Sequence, residues 1–558
     1  MMSEYLFITD KKLDYPFDES IKILNSADNG NYIVANSPSC DTQIYAPEIN
    51  FYIQNSADKI SDKIKNIKAL YDIRSLEFDL AKDMDFKEEV NDKLLIVTDD
   101  EKNNKYEDIL QNDKFTSITL TPESIIDIFG HIGDLKVTLK KDDTNYEIAC
   151  SQIIWEDAPK FAMKQSGVFD PKELGLEEVF RRVEENLGGY KYKNFIVYDS
   201  SICQYHERNE EICGKCAEVC PTVSILKEDE TKHLVFSDID CHGCGGCISV
   251  CPSGALDYTQ LPRSAFSEIK EFYEDKVALI IPRKMSLESL HVELPKNTLP
   301  LAVEGEKFLH EAHFLSLLQT SGKSVIFYSD FISKGTGDAI ALVNEVFKRK
   351  YDKPAIFIAK DAQELEFALS KVESFPECKY GINESDLRKR EIFSARLAHL
   401  VGDDDLGIVK TKEHIHYGNI TINTEACTLC LSCVGACNVR ALTAHPEDNS
   451  LRFNPSICTN CTYCEVICPE KDCLSVQRDE IALNPEYFKQ NIMAKDELFK
   501  CVECGVEFAP KKAVEKIANM MIPMFGGDEV KIKTLYCCAN CKPKVILQAQ
   551  IDKEMKGK

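Results

Sequence analysis

The placement of cysteine constrains this chain more than any other feature. Its 558 residues include 25 cysteines, and they are bunched. Residues 1–200 carry only Cys40 and Cys150. Residues 203–251 carry eight, residues 252–426 only Cys378, residues 427–473 nine and residues 501–541 five. The cysteine-poor stretches are long enough to build ordinary hydrophobic cores. The cysteine-dense stretches are too short for that and need another source of stability.

Spacing within the dense stretches narrows the chemistry. Residues 241–252 read CHGCGGCISVCP, with Cys241, Cys244, Cys247 and Cys251. Residues 427–437 read CTLCLSCVGAC, and residues 458–469 read CTNCTYCEVICP. Each is C-x2-C-x2-C-x3-C, the spacing that binds 4Fe–4S clusters. Three cysteines three apart in a tight turn aim three thiolates at three irons of one cube. The fourth lies too far round the following helix and serves the neighbouring cube. Small residues such as Gly243, Gly245 and Gly246 let backbone N–H groups approach the sulfur atoms. Paired CxxC motifs can also hold zinc, but triplets followed by x3-C do not fit that use.

Both blocks resemble the dicluster ferredoxin domains of bacterial polyferredoxins. The crossed pattern of that family implies one cluster on Cys427, Cys430, Cys433 and Cys468, and another on Cys458, Cys461, Cys464 and Cys437. The first block departs from the pattern. It reads CQYHERNEEICGKCAEVCP, and Glu210 stands three before Cys213 where the family has cysteine. A seven-residue insertion after Cys203 restores the count. The resemblance then implies Cys203, Cys213, Cys216 and Cys251 for one cluster, and Cys241, Cys244, Cys247 and Cys220 for its neighbour. His206 or Glu210 in place of Cys203, or a three-ligated site, are the alternatives. Asn438 replaces the proline after Cys437, and Cys473 is expected to be a small residue packed against a cluster.

The last five cysteines follow another rule. Cys501 and Cys504 precede a glycine in KCVECGVEF, and Cys538 and Cys541 lie in LYCCANCKPK, with Cys537 in reserve. Two CxxC pairs make a tetrahedral four-thiolate site for one Zn2+, the staple that a small module with little apolar core requires. Another iron–sulfur centre or free thiols are the alternatives. Cys40, Cys150 and Cys378 are expected to be buried small residues.

The cysteine-poor stretches alternate strand and helix patterns. YLFITD, NYIVAN and LLIVTDD read as strands, SADKISDKIKNIKALYDI as a helix, and KVTLKK and YEIACSQIIW as a hairpin about a DDTN turn. In the middle, VALIIP, PLAVE, SVIFYSD and AIFIAK read as buried strands. EKFLHEAHFLSLLQ, GDAIALVNEVFKRK and AQELEFALSKV read as the helices between them, which implies a helix-covered parallel sheet. The fold class is therefore α/β plus α+β. It comprises an N-terminal α/β domain (1–195), a ferredoxin-like module (196–262), an α/β domain (263–422), a second ferredoxin-like module (423–480) and a C-terminal zinc-ribbon-like module (481–558).

Other signals are weaker. GTGD at 335–338 has a phosphate-binding look, but Ile340 holds the last glycine position of the dinucleotide fingerprint, and a tight turn opening a helix is expected. His414 and His416 alternate as on a strand, on a solvated or partner-facing side. Arg181 and Arg182 are expected to pair with nearby glutamates. SQIIW and SGVFDPKELG resemble fragments of heterodisulfide-reductase A-type subunits, and the middle domain is similar in pattern to small hydrogenase delta-type subunits. The delta-type cysteines and a flavin glycine motif are missing.

Acidic residues outnumber basic ones 92 to 67, for a formal charge of −25, which argues against nucleic-acid binding. No run approaches the roughly 20 apolar residues of a membrane span. The opening MMSEYLFITDKKLDYPFDES lacks a leader pattern, so a cytoplasmic location is expected, where cysteines stay reduced. The expected function is electron transfer through four 4Fe–4S clusters between redox proteins, a dehydrogenase or hydrogenase among the candidates, with no catalytic residue. The alternative is the iron–sulfur subunit, or an accessory protein, of a heterodisulfide reductase, hydrogenase or formate dehydrogenase.

Overall fold

The computed structural model describes residues 4–26, 30–40, 42–99, 104–141 and 144–556. The chain divides into two units: Met1–Ser200 with Tyr205–Asn344 and Pro354–Asp386, and Ser201–Gln204 with Glu345–Lys353 and Leu387–Lys558.

The first unit opens with two parallel sheets. One takes Ile21–Leu24, Tyr5–Ile8, Tyr32–Ala35 and Thr42–Tyr45 in that order. Helix Ile60–Leu80 buries Ile67, Leu70 and Tyr71, and Tyr71 meets the sheet: its ring stacks on Tyr5 and its hydroxyl donates to the Leu6 carbonyl at 2.8 Å. The other takes Val168–Phe169, Gln152–Trp155, Lys93–Val97 and Thr116–Leu120. Its strand KLLIV is apolar on both faces because both are covered: Leu95 and Val97 face one core, Leu94 and Ile96 another. The hairpin joins Asp134–Lys141 to Thr144–Cys150, with Asp142 and Asp143 of its turn outside the described residues. SQIIW leaves the hairpin, because Gln152–Trp155 pairs in parallel with Lys93–Val97 instead. Asp100, at the end of LLIVTDD, also lies outside the described residues.

The middle of this unit is a parallel sheet in the order Thr298–Val303, Val277–Pro282, Val325–Tyr328, Ile356–Ala359. All residues of the first three strands are buried, as a sheet covered on both sides requires. Helix Glu311–Ser321 connects Thr298–Val303 to Val325–Tyr328, helix Lys334–Tyr351 connects Val325–Tyr328 to Ile356–Ala359, and helix Ala362–Ser370 follows the last strand. The first starts later than the pattern EKFLHEAHF suggests, because residues 304–310 are used as a loop.

The internal repeat is plain in the secondary structure. In the first unit Ile196–Tyr198 pairs with Leu256–Tyr258, hairpin Ile225–Glu228/His233–Phe236 lies between them, and short helices span Lys215–Val219 and Gly246–Val250. In the second unit Gly418–Ile422 pairs with Leu474–Arg478. Hairpin Leu442–His445/Ser450–Phe453 lies between, with short helices at Ser432–Ala436 and Tyr463–Val466. The second unit adds helix Lys389–Val401 and a tail of one hairpin, Leu498–Lys500/Glu507–Pro510, with helices Lys511–Met521, Glu529–Leu535 and Lys542–Lys556. His414 and His416 lie in an irregular loop and not on a strand, and His416 Nδ1 meets the Asp479 carboxylate. Arg181 pairs with Glu178 and Glu185, and Arg182 with Glu178, on helix Leu176–Asn186. Among the described residues, no helix is long and apolar enough to cross a membrane.

Candidate functional site

Three of the cysteine motifs share one backbone device. Residues two and four places after the first cysteine have left-handed φ: Gly243 and Gly245 (+64° and +75°), Leu429 and Leu431 (+52° and +62°), Asn460 and Thr462 (+55° and +67°). Two reversals in five residues curl the chain so that successive N–H groups and thiols face one point. The Asn460 N–H, for example, donates to Cys458 Sγ at 3.4 Å. In the first motif of the first block, neither Ile212 nor Gly214 lies in that region, so the insertion there changes the loop as well as the spacing.

The thiols gather accordingly. Cys220, Cys241, Cys244 and Cys247 line one cavity of about 450 Å3, walled by Ile196, Val219, Ile225 and Phe236. Cys437, Cys458, Cys461 and Cys464 line another of about 390 Å3, walled by Ile420, Val439, Leu442, Phe453 and Val476. Cys427, Cys430 and Cys468 are the charged neighbours felt by Cys433. Cys216 is buried, within electrostatic reach of Cys247, and Cys251 is buried with Sγ 3.8 Å from Ser253 Oγ. Cys213 is half-buried and Cys203 is buried. Of the two alternatives to Cys203, Glu210 is exposed and His206 lies against Glu207 and His233.

Electrostatics show what the cavities fit. Burial, with Cys244 and Cys220 adding, pushes the Cys241 thiol up to about 11. Cys433 and Cys458 are pushed up to about 12 by burial and then by the neighbouring thiols. Four thiolates held in one largely apolar cavity repel each other and are poorly solvated, so they ionise together around a bound metal cation. This donor set, all sulfur and walled by apolar side chains, fits an iron–sulfur cube.

Sequence reasoning missed three kinds of supporting residue. Ser224 Oγ and Thr222 Oγ1 lie 3.2 and 3.4 Å from Cys220 Sγ. Arg390 is buried, stacks 3.7 Å over the Tyr417 ring, and donates to the carbonyls of Cys458 at 3.1 Å and His416 at 2.6 Å. Its only sequence signal was the basic run RKR. The third kind is a wall built by the middle domain. The Lys307 N–H donates to the Cys244 carbonyl at 2.9 Å, and a Cβ on Gly245 would lie 2.4 Å from Phe308 Cβ. A Cβ on Gly335, in GTGD, would lie 2.5 Å from Ser249 Oγ of the short helix Gly246–Val250. Open α/β sheets bind ligands beyond the carboxyl ends of their strands. Here the cysteine loop and its helix fill that place, and the glycine of GTGD serves close packing.

Cys473 is buried against Cys427 and Cys468, which together with burial push its thiol up to about 12. Cys150 and Cys378 are buried, whereas Cys40 is only half-buried against Leu6, Tyr32 and Ala35.

In the tail, one sulfur from each of Cys501, Cys504, Cys538 and Cys541 lies within 4.8 Å of the others. The first pair sits on the hairpin, but the second joins helices Glu529–Leu535 and Lys542–Lys556, so the tail is part hairpin and part helical. Burial acts to raise the Cys501 thiol, but N–H groups of Cys538, Cys504 and Glu503 outweigh it and bring it to about 6. The Cys538 N–H donates to Cys501 Sγ at 3.3 Å. Cys537 is turned to the Lys533 carbonyl at 3.3 Å.

Comparison with known proteins matches the 4Fe-4S dicluster domain at residues 211–255 and a second 4Fe-4S dicluster domain at residues 419–469. The chain is a polyferredoxin-like iron–sulfur protein. It carries two 4Fe–4S dicluster domains. Among curated proteins it is similar to the B subunit of the anaerobic dimethyl sulfoxide reductase of Haemophilus influenzae, 33% identical over 97 residues. That stretch is 16% of this iron–sulfur protein and 45% of the relative, so the likeness spans less than half of the relative's length. The first matched span begins after Cys203, and both leave the α/β domains and the tail outside.

The Ser224 hydroxyl would tune any cluster that Cys220 holds, because a hydrogen bond to a cluster sulfur favours the reduced state. If Cys220 ligates a cluster, Ser224→Ala is expected to lower that cluster's potential by about 40 mV, the equivalent of roughly 1 kcal/mol for a one-electron couple. Protein-film voltammetry of the holoprotein measures it, and an unchanged potential would remove the hydroxyl from the site.

Proposed function

We propose that the protein is an electron wire of four 4Fe–4S clusters in two modules, residues 196–262 and 423–480. The proposed ligand sets are Cys203, Cys213, Cys216 and Cys251; Cys241, Cys244, Cys247 and Cys220; Cys427, Cys430, Cys433 and Cys468; and Cys458, Cys461, Cys464 and Cys437. The observation that carries this reading is the pair of cavities lined by four cysteines each, Cys220 with Cys241, Cys244 and Cys247, and Cys437 with Cys458, Cys461 and Cys464. When bound, the clusters supply one-electron chemistry, and no side chain acts as acid, base or nucleophile. The residues around them exclude water, hold the thiolates and set potentials through Ser224, Thr222 and Arg390.

Four clusters, each with four thiolates, carry the formal charge from −25 to roughly −33. Partners in the cytoplasm would therefore dock through basic patches. The likeness to a reductase subunit supports a second reading, in which this protein is the electron-transfer subunit of such an oxidoreductase. Copurification of a partner bearing flavin or molybdenum separates that reading from a free carrier.

The test is a metal inventory on anaerobically purified protein. About sixteen irons and sixteen sulfides per chain are expected from four cubes. About twelve irons would remove the Cys203 set from the proposal.

The tail is proposed to hold one zinc on Cys501, Cys504, Cys538 and Cys541. Its apolar core is small, with Val514 and Ala518 the buried residues of helix Lys511–Met521, so zinc supplies most of its folding free energy. Cys501→Ser is expected to release about one zinc per chain and to open residues 496–556 to protease, with the iron content unchanged. Retention of the zinc would reassign the ligands.

A further inference from the structure

The insertion that separates Cys203 from Cys213 does more than lengthen a loop. It folds back on the hairpin Ile225–Glu228/His233–Phe236 of the same unit. The Tyr205 hydroxyl donates to Asp229 at 2.8 Å, the Glu207 N–H donates to the Lys232 carbonyl at 3.0 Å, and Lys232 Nζ lies 5.7 Å over the Tyr205 ring. These contacts bring three metal-binding side chains together. One ligand atom each of His206, Glu207 and His233 lies within 4.8 Å of the others.

Two independent details fit a ligand there. The first is His233. Its Nδ1 lies 2.8 Å from the Thr231 carbonyl, which can only accept, so Nδ1 carries the proton and Nε2 keeps its lone pair. A carbonyl that fixes the tautomer from behind is the usual support of a metal-binding imidazole. The second is His206. Its side chain is 20% exposed, its Nε2 lies 3.8 Å from Glu207 Oε1, and its ring centroid lies 4.4 Å from that of His233, so this nitrogen faces the same point as the other two ligand atoms.

We propose that His206, Glu207 and His233 form a three-ligand site for a divalent transition metal of the zinc class, distinct from the clusters and from the tail. Two imidazoles and a carboxylate are a donor set that zinc accepts with one position left open. Bonds of about 2.0–2.2 Å need ligand atoms roughly 3.4 Å apart. The Glu207 side chain is 71% exposed and free to close the remaining gap of about an ångström. The bound ion ties residues 206–207 of the insertion to the hairpin and leaves its open position toward solvent.

The probe is Zn2+ alone, equilibrated at about 10 μM with full-length, cluster-loaded protein after a chelator wash. Zinc, iron and sulfide are counted, and zinc K-edge X-ray absorption reads the ligands. Wild type is expected to bind one more zinc than His233→Ala, with scattering from nitrogen or oxygen at about 2.0–2.1 Å. His206→Ala and His233→Ala lose that ion and that scattering, and keep all their iron. Loss of about four irons in His206→Ala, with zinc unchanged, would make His206 a cluster ligand and overturn the proposal. Equal zinc counts and spectra in wild type and His233→Ala would also overturn it. Glu207→Gln, at an exposed position, guards against misfolding of the histidine variants. It should weaken this zinc at least tenfold, and an unaltered affinity refutes the site. The tail reading fails or stands separately, through its sulfur scattering at about 2.3 Å and the Cys501→Ser variant.

Discussion

Arg390→Met is expected to lower the reduction potential of the cluster proposed on Cys458, Cys461, Cys464 and Cys437 by about 80 mV. A buried cation some 8–10 Å from a site that gains an electron stabilises the reduced state by roughly 2 kcal/mol at an effective dielectric constant of 20. For one electron that is about 80 mV. Arg390 fits this role because its charge is fixed and buried, and it grips the backbone of Cys458 and His416 while lying on Tyr417. Methionine keeps the volume and removes the charge. Arg390→Lys tests the geometry separately, since an ammonium keeps the charge and loses the planar stack, and it should recover most of the potential. Redox titration followed by electron paramagnetic resonance resolves the clusters. Potentials within 10 mV of wild type in Arg390→Met would show that the charge is screened from the site.

Gly245→Ala is expected to empty the first module of the cluster proposed on Cys220, Cys241, Cys244 and Cys247, with about four irons lost per chain. The φ of +75° alone costs an alanine roughly 1–2 kcal/mol. The added carbon would stand 2.4 Å from Cβ and 3.0 Å from Cα of Phe308. Phe308 has no room to retreat, being fully buried and stacked on Tyr258 at 5.0 Å. Overpacking against a fixed neighbour adds roughly 1–3 kcal/mol. The comparison is Leu431→Gly, at the same place in the second module, where a non-glycine residue already bears a φ of +62°. That change relieves strain and is expected to stabilise the loop by about 1 kcal/mol, with no iron lost. Full iron in Gly245→Ala would mean that Phe308 does not wall the cluster loop.

Much of this was legible in the sequence. The spacing of cysteines located both modules because ligand geometry leaves few alternatives. The strands of the middle sheet stood out as apolar runs, since both faces are covered. What escaped notice depends on contacts distant in sequence or on backbone set by packing. SQIIW joins Lys93–Val97 across more than fifty residues instead of extending the hairpin beside it. Arg390 reaches Cys458 across 68 positions. Left-handed backbone at Leu431 and Thr462 runs against residue preference, and only the repeat with Gly245 hints at it. His414 and His416 alternate like a strand but lie in a loop, His416 meeting Asp479.

The wall that the middle domain raises around the first module also bears on how the protein is made. Cys251 leaves the ribosome about eighty residues ahead of Gly335, so Lys307, Phe308 and the helix that begins at Lys334 do not yet exist when the cysteines of this module are complete. At roughly 5–20 residues per second, the site stays half-walled for about 4 to 17 s. During that interval the thiols face solvent, open to the machinery that delivers iron and equally to oxidants. Completion of the parallel sheet then closes the loop from behind. The second module, whose glycine-poor turns hold their shape with leucine and threonine, has its cysteines synthesised after the parallel sheet is complete.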